Sequence, residues 1–140
     1  MQSRPVLFPI LIASLLLLSS CARTIKFNNS PIVPAADGKV TLKEDKNNNY
    51  ALNIKIKNLG PAKNLSPARS TYVVWMQTAN SGTKNLGQLQ TSSKFLSKAL
   101  TASLQTVTSF EPVSFFVTAE DDAVREYPGS QVVLRTDSFR

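Results

Sequence analysis

The chain has no histidine, one cysteine and one tryptophan among its 140 residues. Without histidine there is no imidazole for acid–base catalysis, for a Ser-His-Asp or Cys-His catalytic group, or for a Cys/His zinc site. A single cysteine also excludes an internal disulfide. Hydrophobic residues make up 42% of the chain, too many for a disordered protein, and the 5 glycines and 8 prolines are too few for a fibrous one. A single globular domain is expected, with no metal and no cofactor.

The first twenty residues have the layout of a bacterial secretion signal. Arg4 precedes an apolar run from Val6 to Leu18, which is shorter than the roughly 18 to 20 residues that a membrane-spanning helix needs. The run ends in Leu18-Ser19-Ser20-Cys21, which resembles the lipobox of bacterial lipoproteins. This resemblance implies cleavage before Cys21, a diacylglycerol on its thiol and acylation of the new amino terminus. The alternative is an ordinary secretory signal that leaves a free cysteine.

Lipidation of Cys21 implies a place in the cell envelope, with the membrane as a partner through the lipid anchor. Several acyl chains on one residue anchor a protein stably, because each buried methylene contributes about 0.8 kcal/mol. Ala22 stands where an inner-membrane retention signal places aspartate, so the outer membrane is favoured over the inner membrane. We therefore divide the chain into a lipoprotein signal peptide at residues 1–20, an acylated cysteine and tether at 21–37, and a folded domain at 38–140.

The folded domain has the alternating pattern of β-strands. Val40 and Leu42 alternate with polar residues, and the same pattern recurs at residues 52–57, so two half-buried strands joined by the polar turn 45–49 are predicted. Residues 59–67 break regular structure and are expected to carry the chain from one sheet to the other. Further strands are predicted at residues 71–78, 84–90, 94–104, 113–120 and 131–136, with a short edge strand at 24–27. The sequence predicts an all-β fold, an antiparallel immunoglobulin-like β-sandwich of about seven strands.

Several motifs in the second half resemble the extracytoplasmic C-terminal domain of anti-sigma-K factors. They are Tyr72-Val73-Val74-Trp75-Met76, Gly82, Asn85-Leu86-Gly87-Gln88-Leu89, Phe116-Val117-Thr118-Ala119-Glu120, Pro128-Gly129 and Val132-Val133-Leu134. The resemblance covers roughly residues 72–134 and implies a shared sandwich fold. It does not imply binding of a sigma factor, because that family uses a separate N-terminal domain and here a lipoprotein signal stands in its place.

The charge of the chain is basic and unevenly distributed. The formal net charge is +7, with lysine and arginine dominating residues 23–98 and acidic residues dominating from residue 99 onward. Nucleic acid is not expected as a partner, because the chain is exported and its lysines are scattered over several strands. Anionic lipid head groups or envelope glycans are candidate ligands for Lys55, Lys57 and neighbouring bases, since each base near an anionic surface contributes about 1 kcal/mol. Solubility alone is the simpler explanation.

Three groups of residues have both a structural and a functional interpretation. Trp75 can line a sugar-binding surface, but its place in a central strand favours the core. Phe115 and Phe116 point to opposite faces of a strand, so at least one is expected in the core. Glu120-Asp121-Asp122 offers oxygen atoms for calcium. Its spacing is not that of a calcium-binding loop, and a solvated turn at a strand end is favoured.

The function favoured by the sequence is not catalytic. Glycoside hydrolysis needs two opposed carboxylates, and nothing in the sequence brings Glu111, Glu120 and Glu126 together. We expect a lipid-anchored structural or protein-interaction module that binds another envelope protein through an exposed apolar patch or an unpaired edge strand. The alternatives are a binding module for envelope glycans or anionic lipid head groups, and an accessory to envelope-stress sensing.

Overall fold

Alternating apolar and polar residues form antiparallel strands in the protein, as the sequence predicts. The computed structural model describes residues 21–93 and 100–140, so the predicted signal peptide and residues 94–99 lie outside the described residues. The strands in these ranges are β1 Arg23–Lys26, β2 Asp37–Glu44, β3 Tyr50–Lys57, β4 Thr71–Thr78, β5 Thr83–Gln88, β6 Gln90–Ser93, β7 Leu100–Thr108, β8 Pro112–Glu120 and β9 Val132–Arg135. One turn of 3-10 helix spans Ala62–Asn64.

The strands form two antiparallel sheets. A five-stranded sheet has the order β1-β2-β3-β7-β6, and a four-stranded sheet has the order β5-β4-β8-β9. The predicted all-β, sandwich-like architecture is confirmed. The described residues contain nine strands rather than about seven, because the short edge strand predicted at 24–27 forms as β1 and because one predicted strand is divided between the two sheets.

The predicted hairpin of β2 and β3 is present, with Val40 opposite Ile54. Asp45 closes its turn, since its Oδ1 atom accepts hydrogen bonds from the backbone N–H groups of Asn49 and Asn47. These bonds, with that from Asn49 having the largest effect, favour the ionised carboxylate and hold the pKa of Asp45 below its ordinary value.

The facing sides of the two sheets enclose one hydrophobic core. Its members from the central strands β3 and β4 are Leu52, Ile54, Ile56, Tyr72, Val74 and Met76. Val73 and Trp75 alternate with the core residues of β4, so they lie on the outer face of the four-stranded sheet, yet both are fully buried. The outer face of that sheet is therefore covered as well.

The connection between β3 and β4 carries the chain from one sheet to the other, as predicted. Leu59 is buried in this connection. The Tyr72 hydroxyl donates a hydrogen bond to the Gly60 carbonyl oxygen at 2.7 Å, which fixes the connection to β4. Burial raises the pKa of Tyr72.

Residues 23–36 belong to the folded domain, whereas the sequence predicts a tether as far as residue 37. β1 pairs with β2 from Arg23 opposite Leu42 to Lys26 opposite Lys39. Four apolar side chains of this segment lie in the core: Ile25, Phe27, Val33 and Ala36. Their burial outweighs the turn propensity of the asparagines and prolines between them. Among the described residues, only Cys21 and Ala22 precede the first strand.

The strand predicted at residues 84–90 is divided between the two sheets. β5 pairs with β4, and β6 pairs with β7. The chain changes sheet at Leu89, whose N–H donates to the Tyr72 carbonyl oxygen at 2.9 Å. Gly87 precedes this change with a φ of 127°, which residues other than glycine rarely adopt. The strand predicted at 94–104 overlaps β7 from residue 100, and its first part lies outside the described residues.

Candidate functional site

The outer faces of the two sheets are different surfaces. The segment 121–131 between β8 and β9 lies over the outer face of the four-stranded sheet, and we call it the clasped loop. The outer face of the five-stranded sheet carries five exposed lysines, and we call it the lysine face. The five lysines are Lys26, Lys39, Lys43, Lys55 and Lys57.

Trp75 lies beneath the clasped loop and is 0% exposed. Its ring stacks on that of Phe116, with the ring centroids 6.3 Å apart. The indole Nε1–H donates to Thr118 Oγ1 at 2.8 Å, and the Thr118 hydroxyl in turn donates to Glu120 Oε1 at 2.6 Å. The predicted burial of Trp75 is confirmed, but the residue lies in a second cluster on the outer face rather than between the sheets. Phe115 fills the main core, as expected for one of the two phenylalanines.

Glu120 ends this chain of hydrogen bonds and holds the clasped loop in place. Its carboxylate is 2% exposed and accepts hydrogen bonds from Thr118, from the backbone N–H of Gly129 at 2.7 Å and from the guanidinium of Arg125. Burial by itself raises the pKa of a carboxyl group. Here the three donors stabilise the ionised form more strongly, so the pKa of Glu120 lies below its ordinary value.

The three consecutive acids Glu120, Asp121 and Asp122 have different partners. Glu120 is buried, so the predicted solvated turn is wrong for that residue, whereas Asp121 and Asp122 are exposed. Asp121 forms an ion pair with Arg69 at 2.8 Å, and the Asp122 carboxylate accepts a hydrogen bond from the Val124 N–H. Within residues 21–93 and 100–140, no group of three or more His, Cys, Asp or Glu side chains is placed to hold a metal ion.

Asn85 fixes the far part of the clasped loop. Its Nδ2 atom donates to the carbonyl oxygens of Ala123 at 3.0 Å and Arg125 at 2.9 Å. Because Asn85 lies opposite Trp75 on the neighbouring strand, these bonds bring the loop over the indole ring. The roles of Asn85, Arg125 and Gly129 are not evident from the sequence, because they depend on a contact between a loop and a sheet that no local pattern indicates.

The tip of the clasped loop exposes two large apolar side chains. Val124 is 89% exposed and Tyr127 is 71% exposed. Beside Tyr127, a groove of about 440 Å³ separates the loop from residues 81–85, at the start of β5. The combination of a backbone fixed from beneath and an apolar tip directed to solvent is typical of a binding loop on a rigid scaffold.

The lysine face contains a row of three lysines in direct cross-strand register. Lys26 lies opposite Lys39, and Lys39 lies opposite Lys55. Side chains paired in this way have Cβ atoms about 5 Å apart, and like charges at that distance destabilise a sheet. Among the described residues, the three ion pairs are Arg69 with Asp121, Arg125 with Glu120 and Arg140 with Glu111, and none includes a lysine of this face. The row therefore concentrates uncompensated positive charge.

A groove of about 420 Å³ continues the lysine face beyond this row. Its walls include Ala22, Lys43, Asn53, Gln105 and Val107. Val107 is 68% exposed, and the Asn53 Oδ1 atom is buried without a hydrogen bond from any described residue. The groove therefore offers an apolar side chain and a positive charge.

Cys21, the predicted lipidation residue, is exposed and has a free thiol. It is followed directly by Ala22, which lines the groove on the lysine face, and then by the first residue of β1. A group attached to Cys21 is therefore held close to that face.

The three glutamates considered for catalysis do not form a pair of opposed carboxylates. Glu111 and Glu120 flank the two ends of β8, about 30 Å apart at the rise of a strand, which is far beyond the separation in glycosidases. Glu111 forms an ion pair with Arg140, and Glu126 is exposed on the clasped loop.

The described ranges contain no helix that is long and apolar enough to span a membrane. The motifs that resemble the anti-sigma-K domain all fall in the four-stranded sheet, its connecting turns and the clasped loop. No protein-family model, curated protein or solved structure matches the chain, so this resemblance rests on the sequence motifs alone.

Proposed function

We propose that the chain is a lipid-anchored protein of the cell envelope, whose β-sandwich is a non-catalytic module that binds another envelope protein through the clasped loop. One observation carries the proposal: Val124 and Tyr127 are exposed on a loop that lacks regular secondary structure and is nevertheless fixed by buried Glu120 and by Asn85.

The fixed backbone supports binding because a preorganised loop loses little conformational entropy when a partner docks. Tyrosine is among the residues that contribute most to protein interfaces, since its ring offers a large contact area with few rotatable bonds. The groove beside Tyr127 gives a partner side chain a place to enter. Without a partner, the apolar side chains at the tip of the loop stay in contact with water, and a partner that covers them would bury this apolar surface.

The proposed anchor is supported by the position of Cys21. Its thiol is exposed at the start of the described residues, close to the domain surface. With acyl chains on Cys21, the sandwich sits directly on the membrane rather than at the end of a long tether. The outer membrane is the proposed location, because Ala22 follows the cysteine.

Two finer descriptions belong with this proposal. We propose that the sandwich is immunoglobulin-like, which its two antiparallel sheets and the crossings of the chain between them support. The accessory role in envelope-stress sensing stays a prediction, and co-purification with a membrane-spanning partner would test it.

The test is site-specific photo-crosslinking in intact cells that produce the full chain. A photoreactive amino acid replaces Tyr127 in one variant and Asn47 in a matched control. Asn47 is exposed in the turn between β2 and β3, which belong to the other sheet. We expect an adduct of discrete mass at position 127 and none at position 47.

A second pair of variants connects the adduct with the loop. With a photoreactive residue at position 127, Val124→Asp is expected to abolish the adduct without changing the melting temperature. The Val124 side chain is exposed, so it contributes little to packing within the domain and is free to contact a partner. Adducts of equal yield at positions 127 and 47, or an adduct that survives Val124→Asp, would contradict the proposal. Intact mass of wild type and Cys21→Ser tests the anchor separately.

A further inference from the structure

We propose that the lysine face lies against the anionic lipid surface in which Cys21 is anchored, so that the clasped loop points away from the membrane. The inference rests on the proposed lipid anchor and adds to it a defined orientation and a defined lipid-contacting surface. Its ligand is the phosphate of anionic phospholipid head groups.

Charge is the first observation. Lys26, Lys39 and Lys55 form a row within about 10 Å, since neighbouring strands are about 5 Å apart. Lys43 and Lys57 extend the positive charge along the strands on either side, and Asp37 is the acid that faces Lys57 on this surface. A flat, exposed sheet face with this charge is complementary to a plane of phosphates, because each base near such a plane adds attraction.

The place where the anchor leaves the domain is the second observation. Ala22, next to Cys21, lines the groove on the lysine face. From Ala22 to Lys26 the distance along β1 is about 13 Å at the rise of a strand. Acyl chains that enter the bilayer from Cys21 therefore bring this face, rather than the opposite one, next to the head groups.

The groove supplies the third observation. Lys43 lines this groove and offers a charge to a head-group phosphate. Val107, 68% exposed at this end of the sheet, is placed to contact the apolar region below the head groups.

The orientation has a consequence for the proposed protein partner. The lysine face and the face covered by the clasped loop are the outer faces of opposite sheets of one sandwich. When the first lies on the membrane, Val124 and Tyr127 are presented to the aqueous side.

The experiment uses the acylated protein that cells produce from the full chain, reconstituted in vesicles, with a single cysteine introduced at Gln105 on the lysine face or at Val124 on the clasped loop. Intact mass first confirms acylation of Cys21, which also blocks its own thiol. A membrane-impermeant maleimide then labels the introduced cysteine on vesicles of phosphatidylcholine alone or mixed with phosphatidylglycerol. We expect labelling at position 105 to be at least about fivefold slower on the anionic vesicles, and labelling at position 124 to be unchanged.

The lysines are tested with two double variants of equal charge. Lys39→Gln with Lys55→Gln is expected to remove the difference at position 105, whereas Lys46→Gln with Lys63→Gln, both outside the lysine face, is expected to preserve it. High salt is expected to remove it as well.

Three outcomes would overturn the inference. Equal labelling at position 105 on both vesicles of acylated protein contradicts the orientation and leaves the anchor intact. Equal loss of the difference in the two double variants contradicts the assignment to the lysine row. An unacylated mass contradicts the anchor and the orientation together.

Discussion

Glu120→Gln tests whether the buried carboxylate holds the clasped loop. The substitution preserves the shape of the side chain but removes the charge that three donors share, from Thr118, Gly129 and Arg125. A hydrogen bond to a charged group contributes about 1.5–3 kcal/mol. The glutamine oxygen still accepts from some of these donors, and Arg125 is partly exposed and can be hydrated. We therefore expect the free energy of unfolding to fall by about 2–4 kcal/mol and the melting temperature to fall by roughly 10 °C.

The pH dependence of this effect has a defined sign. Because the pKa of Glu120 is lowered in the folded protein, the unfolded chain binds a proton at this residue first as the pH falls. The stability that the carboxylate provides is thus complete above its ordinary pKa, near 4.5, and is lost as the pH falls through the lower folded value. The difference in stability between wild type and Glu120→Gln should shrink over that acidic window. Asp45, whose pKa is also lowered, affects both proteins equally and cancels.

Thermal unfolding monitored by circular dichroism at a series of pH values measures both effects. Glu126→Gln is the matched control, because Glu126 is exposed on the same loop, and we expect its melting temperature to stay within about 2 °C of wild type. A Glu120→Gln variant as stable as wild type at neutral pH, or a difference that persists undiminished in acid, would refute the role assigned to the carboxylate.

Three further substitutions test the contacts of Trp75, Gly129 and Tyr72. Trp75→Ala should lower the free energy of unfolding by about 3–5 kcal/mol, measured by urea denaturation, because the buried indole is removed from beneath the clasped loop. Gly129→Ala should destabilise by about 1–3 kcal/mol, since a Cβ atom there lies 2.8 Å from Glu120 Oε2, whereas Gly60→Ala meets nothing within 4 Å and should be neutral. Tyr72→Phe should remove the loss of stability on raising the pH above about 10. Burial raises the pKa of Tyr72, so folded wild type retains a proton that the unfolded chain releases, and a pH titration of the melting temperature checks this.

The sequence predicts well the strands whose burial pattern can be read from one strand alone. β2 and β3 expose one face, so their apolar residues alternate with lysines and asparagines. β4 is buried on both faces and appears as a continuous apolar run. In both cases one strand by itself contains the information, because the pattern depends only on which faces are covered.

The segment before β2 shows why the start of the domain could not be placed from the sequence. Asparagine and proline between residues 28 and 34 predict a linker, yet Phe27 and Val33 are buried in the core. Single apolar residues separated by turns have no period, and their burial depends on a pocket that other strands build. The alternation of Ile25 and Phe27 with polar residues is the local evidence for β1.

The clasped loop was beyond prediction for a related reason. A run of three acids indicates a solvated turn, and two of the three are exposed. Glu120 differs because it is the last residue of β8 and shares an outward face with Thr118. Its donors, Arg125 and Gly129, come from a loop that folds back over the sheet. The position of such a loop is a property of the tertiary structure.

The register of the lysine row leads to a prediction about the trade between stability and binding. Solubility requires charge on the surface but not like charges directly opposite one another, and such pairs destabilise a sheet. Lys39→Glu places a carboxylate between Lys26 and Lys55 and turns two repulsive pairs into two attractive ones. We expect the free energy of unfolding at low salt to rise by about 0.5–1.5 kcal/mol, and the protection of position 105 on anionic vesicles to be lost. Lys46→Glu, in the exposed turn, introduces the same charge and should change neither quantity.

Salt separates electrostatics from packing in this pair of variants. The gain in stability of Lys39→Glu should disappear in about 1 M salt, where the Debye length falls to about 3 Å and exposed charges on neighbouring strands are screened. Urea denaturation at two salt concentrations measures the gain. A variant that is no more stable than wild type at low salt would mean that the three lysines do not repel one another appreciably. A variant that is more stable and still protected on anionic vesicles would mean that the row is dispensable for membrane contact. If the lysine row is maintained for membrane binding at the expense of stability, the Lys39→Glu variant should be more stable than wild type and should lose the protection of position 105 on anionic vesicles.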